Sequence, residues 1–83
     1  MIMINAFIFL EAIGLACGVV GAVFVSCPYD RQRAIGFGIW IIGDLAWLSV
    51  GVELADVFIC LQFAFYLLTA LFGLRSNLPD GFP

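Results

Sequence analysis

The chain has no histidine and no lysine, and its 83 residues carry only three basic and six acidic side chains. Without histidine there is no Ser/His or Cys/His pair, so the usual routes to an activated nucleophile are closed. There is also no metal-ligand set and no phosphate-cradling loop. We therefore expect no enzyme, no catalytic residue, no metal and no cofactor. The cysteines, Cys17, Cys27 and Cys60, make no CxxC pair and read as small packing residues with free thiols. The shortage of charge excludes more. A soluble domain this small needs a charged skin, and 11% charged residues against 65% hydrophobic ones cannot build it. A net charge of −3 implies no nucleic-acid partner and no acidic one.

What the chain has is long apolar runs. Ile4 to Cys27 contains one charge, Glu11; Ala34 to Val52 contains one, Asp44; Val57 to Leu74 contains none. Each holds the roughly 18–24 residues a helix needs to cross a hydrocarbon core of about 30 Å. The expected fold is an all-α membrane protein with three transmembrane helices, at about 4–27, 34–52 and 55–74. Residues 1–75 form a single three-helix transmembrane bundle in this reading, and residues 76–83, with Pro79, Gly81 and Pro83, a flexible tail. The first run is expected to be retained. Nothing basic precedes Glu11 as a secretory signal requires, and GLAC has Gly14 where a lipoprotein box carries a bulky aliphatic residue.

The few charges are sorted by side. Arg31 and Arg33 lie in the first link, YDRQRA, and Arg75 just after the third run. Three spans place all of them on one face and Glu53 and Asp56 on the other; two or four spans would scatter them. The positive-inside rule makes the arginine face cytoplasmic, with the N-terminus out and the C-terminus in. The expected home is a cell (inner) membrane, crossed several times. In the links, Pro28 breaks the first helix and Asp30 can cap the second. GVELAD is so short that the second and third helices must form a tight hairpin, with Asp56 as an N-cap or first-turn acid.

Residues at i, i+3, i+4 and i+7 share a helix face. On that spacing Glu11, Gly14, Gly18 and Gly21 align in the first helix, and Gly36, Trp40, Gly43/Asp44, Trp47 and Gly51 in the second. Gln62, Tyr66, Thr69 and Gly73 align in the third. Each helix gathers its polar and small residues on one side and leaves Ile, Leu, Val and Phe for lipid. Gly14, Gly18 and Gly21 are expected to let helix backbones touch. Glu11 is either held at that interface or reaches headgroup water. Asp44 is too deep for either escape, and no Lys or Arg lies within any span to pair with it. Three resolutions are open. The carboxyl is protonated and donates to Gln62, Tyr66 or a backbone carbonyl; it faces a water-filled cavity; or it neutralises a cationic or hydrogen-bonding solute. Trp40 and Trp47, one turn to either side, either fill the helix interface or wall a site for a ring-shaped polar solute.

With EAIG in the first helix, GFGIWIIGDLAWLSVG in the second, and ELAD then LQFAFYLLTALFG in the third, the chain resembles the three-helix unit of PnuC-type vitamin transporters. That family is related in fold to the SWEET and SemiSWEET sugar transporters. The resemblance implies a bundle that pairs with a second copy around a central pathway and passes a small solute, such as nicotinamide riboside or a sugar, by facilitated diffusion. It also implies that Trp40, Trp47, Gln62 and Tyr66 line the pathway. Asp44 stands where asparagine is common in such bundles, and Pro28 is not followed by glutamine, so the vitamin branch fits better than the sugar branch. The expectation is a homodimeric half-transporter in the lipid bilayer, with Asp44, Trp40, Trp47, Gln62, Tyr66 and Glu11 along its solute path. In a dimer two Asp44 carboxyls would meet near one axis, with a shared proton or a cationic solute between them. The alternative is a non-transporting accessory subunit that docks on a larger membrane complex through its glycine stripe.

Overall fold

Where the helices stop is decided by backbone chemistry more than by hydropathy. The computed structural model describes residues 2–78 and consists of α1 (Ile2–Val25), α2 (Asp30–Glu53) and α3 (Val57–Ser76). At about 1.5 Å per residue these are roughly 30–36 Å long, and all three are long and apolar enough to cross a membrane. That is the make-up of an integral membrane protein. α1 ends two residues earlier than expected because Pro28 pushes Cys27 toward extended backbone, and helices stop at or before such a residue.

α2 begins four residues earlier than expected, and its polar first turn is the reason. Asp30 suits the positive end of the helix dipole and pairs with Arg33 one turn on, so DRQR is helical rather than a loop. The capping role expected of Asp30 is therefore corrected: Tyr29 holds the N-cap position, without a side-chain cap, and Asp30 lies inside the helix. Asp56 does cap α3, its carboxylate accepting from the Phe58 and Ile59 amides at 3.1 and 3.2 Å. Immediately before it, Asp56 N–H donates to the Gly51 carbonyl (2.9 Å) and Ala55 N–H to that of Val52 (3.1 Å). This is a Schellman closure of α2, with Ala55 in the left-handed region at φ 53°. Of the tail expected over residues 76–83, Ser76 ends α3 and Asn77 is hydrogen-bonded to Arg33; residues 79–83 lie outside the described residues.

α2 is the centre of the molecule. It packs against both α1 and α3, while among the described residues the backbones of α1 and α3 make no close approach to each other. The burial pattern follows: Ala34, Gly36, Gly43, Asp44, Ala46, Val50 and Gly51 of α2 are buried, against Ala70 alone on α3. Large apolar groups point away, as with Phe58 and Phe72, 83% and 70% exposed, which suits hydrocarbon rather than water. The α1–α2 seam is made of small residues. A side chain on Gly14 would strike the Trp47 indole, and one on Gly36 would lie 2.7 Å from the Val25 amide and 2.8 Å from the Gly21 carbonyl. Backbones therefore meet directly, the arrangement small residues permit in lipid. α3 meets α2 through larger groups, with Phe37 over Gly73 and Ile59 and Cys60 over Gly51.

Candidate functional site

Because α1 and α3 flank α2 without meeting, a cleft of about 490 Å³ runs between them with α2 as its floor. That volume is within the range of small-molecule sites. Asp44 lies on the floor, 8% exposed, between Trp40 and Trp47. Gly14 and Gly18 form the α1 wall; Phe63, Tyr66 and Thr69 form the α3 wall.

The aromatic groups are fixed by their neighbours. Trp40 Nε1 donates to the Gly18 carbonyl at 3.1 Å, and its ring meets Phe37 edge to face with centroids 5.6 Å apart. Trp47 stacks on Phe63 at 5.4 Å and 15° between planes, and Phe63 meets Tyr66 edge to face, also at 5.4 Å. The result is a run of contacting rings from α2 to α3 along the cleft that also holds Asp44. Such pairs add about 0.5–1.5 kcal/mol each beyond their buried area.

Asp44 is left available. The arginines all lie at the far end of α2 and α3, and the one ion pair among the described residues is Arg33–Asp30. Gln62 Nε2 donates to the Tyr66 hydroxyl at 3.2 Å, not to Asp44. A buried carboxyl facing a cleft lined by aromatic faces can accept from a hydrogen-bond donor or offset a positive charge, while the rings stack on a flat group.

Four of the six residues expected along the path, Asp44, Trp40, Trp47 and Tyr66, line this cleft. Gln62 does not. It sits on the exposed flank of α3 and reaches the site only through Tyr66. Glu11 is half-buried on α1, nearly one turn before Gly14, and is not part of the lining. Of the glycines expected to pack, Gly14 and Gly21 are buried under Trp47 and Trp40 respectively. Gly18 differs: a side chain there would meet nothing within 4 Å, and its role is to present its carbonyl to Trp40 at the cleft wall. Phe63 does not stand out in the sequence because one phenylalanine among nine, in an apolar helix, carries no contrast. Its i, i+3 spacing to Tyr66 was the usable signal.

The cysteines are half-buried and free, Cys17 beside Gly43 and Cys60 beside Gly51. Among the described residues, no three His, Cys, Asp or Glu side chains come together as a metal site would need. No family model, curated protein or solved structure matches the chain.

Proposed function

We propose that this chain is a half-transporter that works as a homodimer and lets a small, ring-containing, cationic or vitamin-like solute diffuse across a cell (inner) membrane. Its orientation is N-terminus out and C-terminus in, following the arginines at one end. The single observation that carries the reading is the cleft: a small-molecule-sized gap between α1 and α3, walled by aromatic rings, with the Asp44 carboxyl on its floor. A closed dimer with a wet cavity supports transport, while a single chain with Asp44 bonded internally supports the non-transporting accessory subunit; the open cleft beside Asp44 favours the first. The floor and two walls come from one chain. A second copy facing the first would roof the cleft and bring two Asp44 side chains to the middle of the bilayer, where transporters commonly bind solute. This is the arrangement implied by the likeness to PnuC-type bundles, and it calls for no catalysis.

The test is uptake into liposomes carrying the purified protein, with nicotinamide riboside as the cationic ring probe and glucose as the neutral one. Nicotinamide riboside should enter and glucose should not. Asp44→Asn should slow entry by about tenfold or more, the loss expected when a charge-assisted contact of about 1.5–3 kcal/mol is removed. Equal uptake by parent and variant would remove the carboxylate from the mechanism. No uptake of either probe by the parent would favour the accessory role.

A further inference from the structure

At the arginine end of the molecule one side chain ties all three helices together. Arg33 Nη1 donates to the Cys27 carbonyl just beyond α1 at 3.1 Å, and Nη2 reaches Asp30 at the start of α2. Its Nε donates to Asn77 Oδ1, just beyond α3, at 2.9 Å. Asn77 is itself oriented, because its Nδ2 donates to the Gly73 carbonyl at 2.7 Å, a group near the helix end that lacks its usual partner. Gly73 is also where the Phe37 ring rests, and Phe37 in turn supports Trp40 at the edge of the cleft. From the outside inward the order is Arg33–Asn77, then Phe37 over Gly73, then Trp40 and Asp44.

We propose that the Arg33–Asn77 bond is a latch that holds this end of the cleft shut, and that α3 is the arm it releases. The three helices are unequally joined. α1 and α2 meet backbone to backbone at Gly21 and Gly36, with the Trp47 and Trp40 rings seated on Gly14 and Gly21, and so move as one body. Among the described residues the α3 backbone makes no close approach to that of α1. At its start it is fastened to α2 by the Leu54–Asp56 turn, with its two backbone bonds and the Asp56 cap. Midway it rests on α2 through the Trp47–Phe63 stack and the buried Ala70, and at its end it is fastened by Asn77 and the Phe37 contact. When Asn77 leaves, Arg33 keeps Asp30 and the Cys27 carbonyl, both belonging to the α1–α2 body, so the guanidinium is not left unpaired. Release breaks one hydrogen bond, and the swing of α3 about a pivot at Leu54–Asp56 then lifts Gly73 from Phe37 and loosens the Trp47–Phe63 stack and the seat of Ala70, opening a route toward Asp44.

The purpose of this latch rests on the transport reading, but its test reads distance and not flux, so the two can fail separately. Spin labels would be placed at Ser26→Cys and Ser76→Cys across the latched end. A second pair, at Ala12→Cys and Leu61→Cys, would span the opposite half. Both would be made in a chain with Cys17, Cys27 and Cys60 replaced by serine and diluted with unlabelled chain in nanodiscs. Pulsed electron-resonance distances in the otherwise unaltered chain should be dominated by one short population at the latched end. Asn77→Leu should shift that pair to a longer population and leave the second pair unchanged. Identical distributions with and without Asn77→Leu would overturn the proposal, as would equal widening of both pairs. Should Asn77→Leu not fold, Arg33→Lys keeps a charge beside Asp30 but lacks the Nε that reaches Asn77, and the same shift is expected of it.

Discussion

Asp44 sits about 4 Å along the axis from the middle of α2, with aromatic rings on either side and no cation in reach. An acid at the centre of a membrane helix costs on the order of 2–3 kcal/mol even on permissive insertion scales. Its neighbours are glycine, alanine and aromatic groups, which return little of that. The residue is therefore a burden on the fold, and the transport proposal assigns its offset to a solute or a second chain. Asp44→Leu is expected to raise the thermal midpoint of the detergent-solubilised protein, equivalent to about 1–3 kcal/mol, while abolishing uptake. A lowered midpoint would mean that the carboxyl holds the fold together, and the functional reading of it would go.

The helix ends show how local chemistry sets the elements. Ala55 closes α2 in a left-handed conformation that costs an L-residue roughly 1–2 kcal/mol and costs glycine almost nothing. Against this, glycine loosens the unfolded chain by about 0.4–1 kcal/mol. The balance favours Ala55→Gly by roughly 0.5–1 kcal/mol, readable as a higher midpoint in thermal unfolding. An unchanged or lower midpoint would show that the Ala55 methyl makes contacts outweighing its strain. Because the same turn is the proposed pivot for α3, the substitution also asks whether relieving it alters the distance spread at the latched end.

For the whole molecule, the central fact is that α2 separates the other two helices. A bundle in which all three helices met would have closed the cleft over Asp44. This one leaves it open along a side, facing the hydrocarbon unless another chain covers it. The expected state in mild detergent is a particle of two chains, checked by sedimentation after subtracting bound detergent. A cysteine at Leu15→Cys, on the exposed α1 face near the cleft mouth, should be protected from a bulky maleimide in the particle and reactive once the particle is dissociated. A single-chain particle with full reactivity would leave the cleft unroofed and rule out the homodimer.

Much of this was legible in the residues themselves. Runs of lipid-crossing length with at most one charge each determined that there are three membrane-sized helices, since hydrocarbon tolerates few charges and requires every backbone group to be bonded internally. Spacing placed Trp40, Asp44, Trp47 and Tyr66 on inward faces, because helical period alone decides which side chains share a side. The helix ends were harder. Pro28 and Asp56 are readable, but the polar turn beginning at Asp30 reads as a link, because hydropathy reports where lipid ends and not where hydrogen bonding ends. Only the tertiary structure decided that α2 lies between the others, that Phe63 joins the wall while Gln62 and Glu11 stand outside it, and that Arg33 reaches Asn77 across 44 positions. Those facts depend on which faces meet, and three apolar helices with small residues on one side can be assembled in more than one order at similar cost.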